Sequence, residues 1–402
     1  MSIETQAERL HGLDALRGGA LMLGLVLHAA MAYIPQPIWI ATDQSAAPGA
    51  GVVFFVIHLF RMTTFFLIAG LFAHMMIARR GWLKFAIDRA SRIGGALAIF
   101  WGLVLAGIIA VLLWKVAIDN GGTLPTDGPP PPPLTLETFP LTHLWFLWVL
   151  LIFYAVLLLA RAVLSLDRGG GIARLADRLT GALIGPWTPV ILAAPLALAF
   201  WLRPAWSAFF GIPTPDTGLV PNGVALTGFG VAFVFGLLLD RRRDLLERIA
   251  RLWPVFIVVA LGAGAGAFVL TGGAAIRLEP VTDPALKAAT ACVYAFAVYA
   301  STLAVVALSL RFMSGHSAIR RYLADASYWV YIVHLPLVMA GQVLLLDAPW
   351  PWFVKLAAVS TGVLAIGLVT YEVLIRHTFM GRWLNGQRVP WRRPMPDLVP
   401  AE

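Results

Sequence analysis

Charge is scarce in this chain. Asp, Glu, Lys and Arg make up 13% of 402 residues, about half the share usual in soluble domains, against 59% hydrophobic residues. With a mean hydropathy of +0.81, a soluble multidomain enzyme is excluded, and runs of about 18 or more apolar residues leave no stretch suited to a large soluble domain. Cysteine is nearly absent: Cys292 alone, in TACVYAFAVYA, allows no internal disulfide and no thiolate metal site, and reads as a small packing residue. Acidic residues number 21 against 30 basic ones, yet the net charge of +9 is not gathered in one patch, which argues against nucleic acid as a partner. No self-similar period and no matched pair of broken spans occurs, which weakens an inverted-repeat transporter. Glu4, Glu8 and Asp14 dilute the basic flank of the first apolar run, so that run is not expected to be a cleaved signal peptide.

What is present is an all-α, polytopic membrane helix bundle of about ten transmembrane helices. Hydropathy predicts spans near 16–34, 50–76, 86–114, 142–163, 187–202, 224–239, 252–271, 286–312, 326–346 and 352–376. With the N-terminus inside, one side collects 24 of the 30 Lys and Arg, Arg168, Arg392 and Arg393 among them, and the other receives five, with Arg61 embedded. The positive-inside bias therefore places both termini in the cytoplasm. Residues 1–380 read as one transmembrane domain and 381–402 as a cytoplasmic tail. The outward loops differ: 116–141 carries a stiffening proline run, and 203–223 contains Trp206, Phe209 and Phe210. Those aromatics read as interfacial anchors, with a sugar-stacking platform as the alternative. Gly262 and Gly266 in GAGAGA read as a close helix contact.

Ionisable residues inside spans are costly, by roughly 2.5–3.5 kcal/mol at the helix centre, and tend to be functional. Arg17 and His28 lie eleven positions apart in LDALRGGALMLGLVLHAAMAYI, three turns and about 16 Å along one helix face, with Asp14 beside Arg17. His58 and Arg61 share a face three apart in FFVIHLFRMTTFFLIAG; the always-charged Arg61 needs an anion, carbonyls or a wet cavity. Arg89 and Arg92 repeat that spacing at the cytoplasmic start of the third span, either as anchors or as a phosphate site. His143 begins the fourth span beside Trp145, either as an interfacial histidine or as a site residue. Ser327, Tyr331 and His334 share a face in SYWVYIVHLPLV. Imidazole as a proton acceptor, with cytoplasmic-edge arginines for phosphate, suits base chemistry on a phosphorylated donor without metal catalysis.

On these segments, LDALRGGALMLGLVLHA, HLFRMTTFFLIAGLFAHMM, DRASRIG, HLWFLWVL and SYWVYIVHLPLV, in order along nearly the whole chain, the sequence resembles the acyltransferase-3 family of integral membrane acyltransferases, and within it the glucan biosynthesis protein C branch. The resemblance implies an O-acyltransferase of the inner membrane. Its donor would be cytoplasmic acyl-CoA, succinyl-CoA or acetyl-CoA, a co-substrate with no permanently bound cofactor. Its acceptor would be a hydroxyl of a periplasmic or exported glucan. It implies His28 as the catalytic residue, with Arg17 in the same motif, and Arg89 and Arg92 on the CoA side; the placement of the residues adds Arg61 and His58 to the catalytic group and Asp14 with Arg17 to the CoA side. His143, Trp145, Ser327, Tyr331 and His334 are then acceptor or acyl-pocket residues. Direct transfer and a covalent acyl-histidine both remain open at this stage, as does a carrier that moves an acyl group or small anion for a partner enzyme.

Overall fold

The structure, a computed structural model, describes residues 3–125, 133–166, 170–386 and 388–390, with backbone alone for 3–10. Arg168, Arg392, Arg393 and most of the proline run lie outside the described residues. Fourteen α-helices make up most of the described chain. They are α1 (Ile3–Ala30), α2 (Pro48–Arg80), α3 (Trp82–Arg89), α4 (Gly95–Asp119), α5 (Trp145–Leu164), α6 (Gly171–Leu183), α7 (Thr188–Leu202), α8 (Gly223–Arg241), α9 (Leu245–Arg251), α10 (Trp253–Leu270), α11 (Pro284–Phe312), α12 (Ala318–Leu345), α13 (Trp352–Thr370) and α14 (Phe379–Asn385). Among the described residues, nine segments are long and apolar enough to cross a bilayer, and α6 with α7 forms a tenth candidate bent by 108°.

That bend is where the hydropathy reading was simplest and the structure is not. The span expected at 187–202 is the 15-residue α7, about 22 Å long and shorter than the roughly 30 Å hydrocarbon core. Its partner α6 carries Arg174, Asp177 and Arg178 and was invisible to a hydropathy window. The third span also departs from a plain helix: α3 continues into α4 through a π-helical stretch, Ala90–Gly94, that contains Arg92 and directly follows Arg89.

Two glycines let α2 and α8 touch. A Cβ on Gly70 would strike the backbone of Phe233, and one on Gly236 the backbone of Leu67, so only glycine permits this approach. The GAGAGA expectation is corrected: a Cβ on Gly262 would meet nothing within 4 Å, and one on Gly266 only an ordinary contact at 3.4 Å. Cys292 is corrected too, since it lies exposed on the outside of α11 rather than packing within the bundle. Trp206 and Phe209 are not interfacial anchors. Both are buried, Trp206 stacked on Phe200 at 4.2 Å with its indole N–H donated to the Gly211 carbonyl.

On the side away from the arginine-rich face, the loop between α1 and α2 is fastened to α13 by a buried ion pair. Lys355 Nζ donates to both Asp43 carboxylate oxygens, at 3.0 and 2.7 Å, and to the Leu346 carbonyl. On the arginine-rich face, the expected tail begins as structure: α14 packs on the π-helical stretch, with Trp383 Nε1 donating to the Ser91 carbonyl and Asn385 Nδ2 to the Asp325 carbonyl.

Candidate active site

Two cavities, each of about 540 Å³, open toward opposite ends of the bundle. One is lined by arginines, the other by four of the chain's eight histidines. They meet at Leu21, Phe65 and Phe146, which line both. The partition is a contact pair: the rings of Phe65 and Phe146 meet edge to face at 4.4 Å.

Helix periodicity explains how one element serves both cavities. On α1, Arg17, Leu21 and His28 follow one face at steps of four and seven. Arg17 lines the first cavity, Leu21 the partition and His28 the second. On α2 the same face carries His58, Arg61, Phe65 and Phe72. The turn before α5 supplies His143, and α5 then supplies Phe146, Leu150 and Tyr154. On α12, Tyr331 and His334 face the histidine cavity, whereas Ser327 lines the arginine cavity and donates to the Ala324 carbonyl at 2.8 Å.

In the arginine cavity the basic groups are held by carboxylates. Asp14 binds Arg17 at 2.7 Å, and Asp88 binds Arg89 at 2.9 Å and Arg92 at 3.1 Å. Arg89 also lies over the rings of Phe85 and Tyr154. Arg79, Arg243 and Arg321 join the lining, and Leu384 and Asn385 of α14 close it. The cationic groups outnumber the carboxylates, Asp14 and Asp325, that share this lining.

The histidine cavity is built differently. His28 stacks on Trp39 at 5.9 Å and faces the His334 ring at 5.4 Å, and His334 meets His143 at 4.9 Å. His143 Nε2 donates to the carbonyls of Tyr331 and Ile332, at 3.1 and 3.2 Å, leaving Nδ1 as its acceptor nitrogen. His334 Nδ1 donates to the Tyr331 carbonyl at 2.7 Å, leaving Nε2 as its acceptor. Pro336 makes this possible: it has no N–H to return to the carbonyl four residues back, so Ile332 is free to take His143. The Tyr331 hydroxyl donates to the His143 carbonyl at 2.6 Å. His58 stacks on Phe54 at 5.2 Å, and Trp145, 4% exposed, walls the far side.

Arg61 is 8% exposed, and among the described residues no carboxylate lies within ion-pair distance of it. Its guanidinium fits because position 24 is glycine, where a Cβ would collide with Nη1. Two residues that sequence reasoning missed fix His28. Trp39 Nε1 donates to Gln342 Oε1 at 2.8 Å, and Gln342 Nε2 donates to the His28 carbonyl at 2.9 Å. A polar amide within an apolar span was the available signal. Among the described residues, no three His, Cys, Asp or Glu side chains form a metal-binding group.

Comparison with known proteins identifies the family. Residues 10–372 match the acyltransferase domain of the acyltransferase-3 type. The chain is 25% identical over 383 residues to glucans biosynthesis protein C of Salmonella typhimurium (strain LT2) and to that of Salmonella typhi, covering 92% of this chain and 93% of each relative. The protein of the same name from Salmonella enteritidis is similar to the same extent. No solved structure matches.

Proposed function

Because the chain belongs to the acyltransferase-3 family, we propose that this multi-pass membrane acyltransferase carries an acyl group from cytoplasmic acyl-CoA to a hydroxyl of a glucan outside the inner membrane. The observation that carries the proposal is the back-to-back pair of cavities, one arginine-lined and one histidine-lined, separated only by Leu21, Phe65 and Phe146. The glucan acceptor follows the relatives' name.

On this reading the CoA phosphates sit among Arg17, Arg89 and Arg92, whose planar forks suit phosphate oxygens. Asp14 and Asp88 hold those side chains in place. The thioester reaches past the partition to His28. The imidazole of His28 takes the proton from the acceptor hydroxyl, the oxygen attacks the thioester carbonyl, and the C–S bond breaks as the ester forms. The proton on His28 then passes to the departing CoA thiolate, so the base is regenerated. Arg61 stabilises the oxyanion that develops on the carbonyl oxygen. Its five N–H donors suffice for that oxygen and for the carboxylate of a succinyl group together, which favours succinyl over acetyl. His58, Tyr331 and His334 complete the acyl pocket, and His143 and Trp145 its acceptor side. With His28 held by its backbone and by Trp39, direct transfer is preferred to an acyl-histidine.

Labelled succinyl-CoA supplied to one face of proteoliposomes, with glucan on the other, tests this. His28→Ala is expected to lower transfer at least a hundredfold, the lower end of what a general base contributes. Undiminished transfer would remove His28 from the role. The same two cavities also suit an acyl or anion carrier, and purified protein with donor and glucan alone separates the readings. Acylated glucan supports the enzyme; label crossing without ester formation supports the carrier.

A further inference from the structure

Two loop segments that line the histidine cavity, Thr142 and His143 before α5 and residues from Arg203 to Asp216 after α7, carry unusual hydroxyls. Thr142 Oγ1 and Ser207 Oγ are buried, and neither has a hydrogen-bond partner among the described residues. Buried hydroxyls nearly always find one. Both residues line the cavity. Thr142 has φ +54, a left-handed conformation in which a β-branched residue is a true outlier. The strain is held from several sides: Thr142 N–H donates to the Asp216 carbonyl at 2.9 Å, and Pro140 pairs antiparallel with Thr217. Strain maintained this way marks a position where the side chain must be presented in one direction.

The rest of this lining has matching chemistry. The Asp216 carboxyl opens into the cavity, where crowding by protein pushes it above the ordinary carboxylate range. Thr214 and Arg203 add polar groups, and Phe210 offers an apolar face. The geometry points to a subsite for one neutral pyranose unit of the acceptor, with its hydroxyls paired to Thr142, Ser207 and Asp216 and its C–H face against Phe210. Hydroxyls both donate and accept, so a polyol satisfies Thr142 and Ser207 in either sense. An acyl chain would leave both buried hydroxyls, Thr142 Oγ1 and Ser207 Oγ, unpaired. This assignment deepens the glucan-acceptor reading and rests on it.

The test is binding without donor: calorimetry of a linear gluco-oligosaccharide with the purified full-length protein. Thr142→Val and Ser207→Ala are each expected to weaken binding about three- to tenfold, the loss for one neutral hydrogen bond. Thr142→Ser keeps the hydroxyl and is expected to bind as wild type does. Thr142→Gly relieves the backbone and is expected to melt no lower than wild type while binding as weakly as the valine variant. Unchanged affinity in both Thr142→Val and Ser207→Ala overturns the subsite and leaves the glucan reading standing. Wild-type binding by Thr142→Gly shows a merely structural threonine and overturns it as well. No oligosaccharide binding by the wild type overturns both readings.

Discussion

Arg61 depends on a neighbour chosen for having no side chain. Gly24 of α1 leaves the space that its guanidinium fills, so this buried cation of the histidine cavity is positioned by an absence one helix away. Gly24→Ala would favour the α1 helix by about 0.5–1 kcal/mol while driving the guanidinium out of its seat. The expected outcome is an unchanged melting temperature with acyl transfer lowered at least tenfold; full activity would show that Arg61 need not sit there. Ionisable residues are the part of the site that sequence shows best: His28, His58, Arg61, His143 and His334 stand out because apolar helices rarely carry them. Gln342 signals only that its amide needs a partner, and Trp39 does not stand out. They meet across 303 positions, and nothing local to either residue announces the other.

Among elements, α12 shows a proline used as a device. By freeing the Ile332 carbonyl, Pro336 gives His143 Nε2 a second acceptor beside the Tyr331 carbonyl, and the two together fix which of its nitrogens carries the proton. Pro336→Ala restores the helix N–H, which competes for that carbonyl. The variant is expected to melt higher, since proline costs about 3 kcal/mol in a helix interior, and to transfer acyl groups severalfold more slowly; unaltered transfer would make the proline incidental. Long spans were legible because about 20 apolar residues are needed to cross a bilayer. The α6–α7 bend was not, because α6 places charges along one side and fails any apolar average. The helix contact was sought in GAGAGA, whereas single glycines, Gly70 and Gly236, make it. Close approach is set by what lies opposite, which a repeat in one helix does not reveal.

For the molecule as a whole, the partition between the cavities governs coupling. On the proposed function, Phe65 and Phe146, in edge-to-face contact at 4.4 Å, would keep water of the histidine cavity from the thioester until the donor arm passes between them. Phe146→Ala removes half of that contact. Thioester hydrolysis in the absence of glucan is expected to rise severalfold relative to transfer, measured as thiol release from acyl-CoA. A hydrolysis rate equal to wild type would show that the partition does not exclude water. That the two ends differ in chemistry was legible from the 24-to-5 charge bias; that they meet at one aromatic pair was not, since it required α2 and α5 to be brought into register.

The Asp43–Lys355 pair has a consequence in time rather than in space. The loop carrying Asp43 emerges early, and Lys355 follows 312 positions later. At about 5–20 residues per second of synthesis, that is roughly 15–60 s. Throughout that interval the loop beside His28 has no counter-ion to fold against. The His28 end of the first helix is therefore finished by nearly the last helix made, and a chain released early would carry every candidate catalytic residue yet lack the clasp that holds the loop beside them.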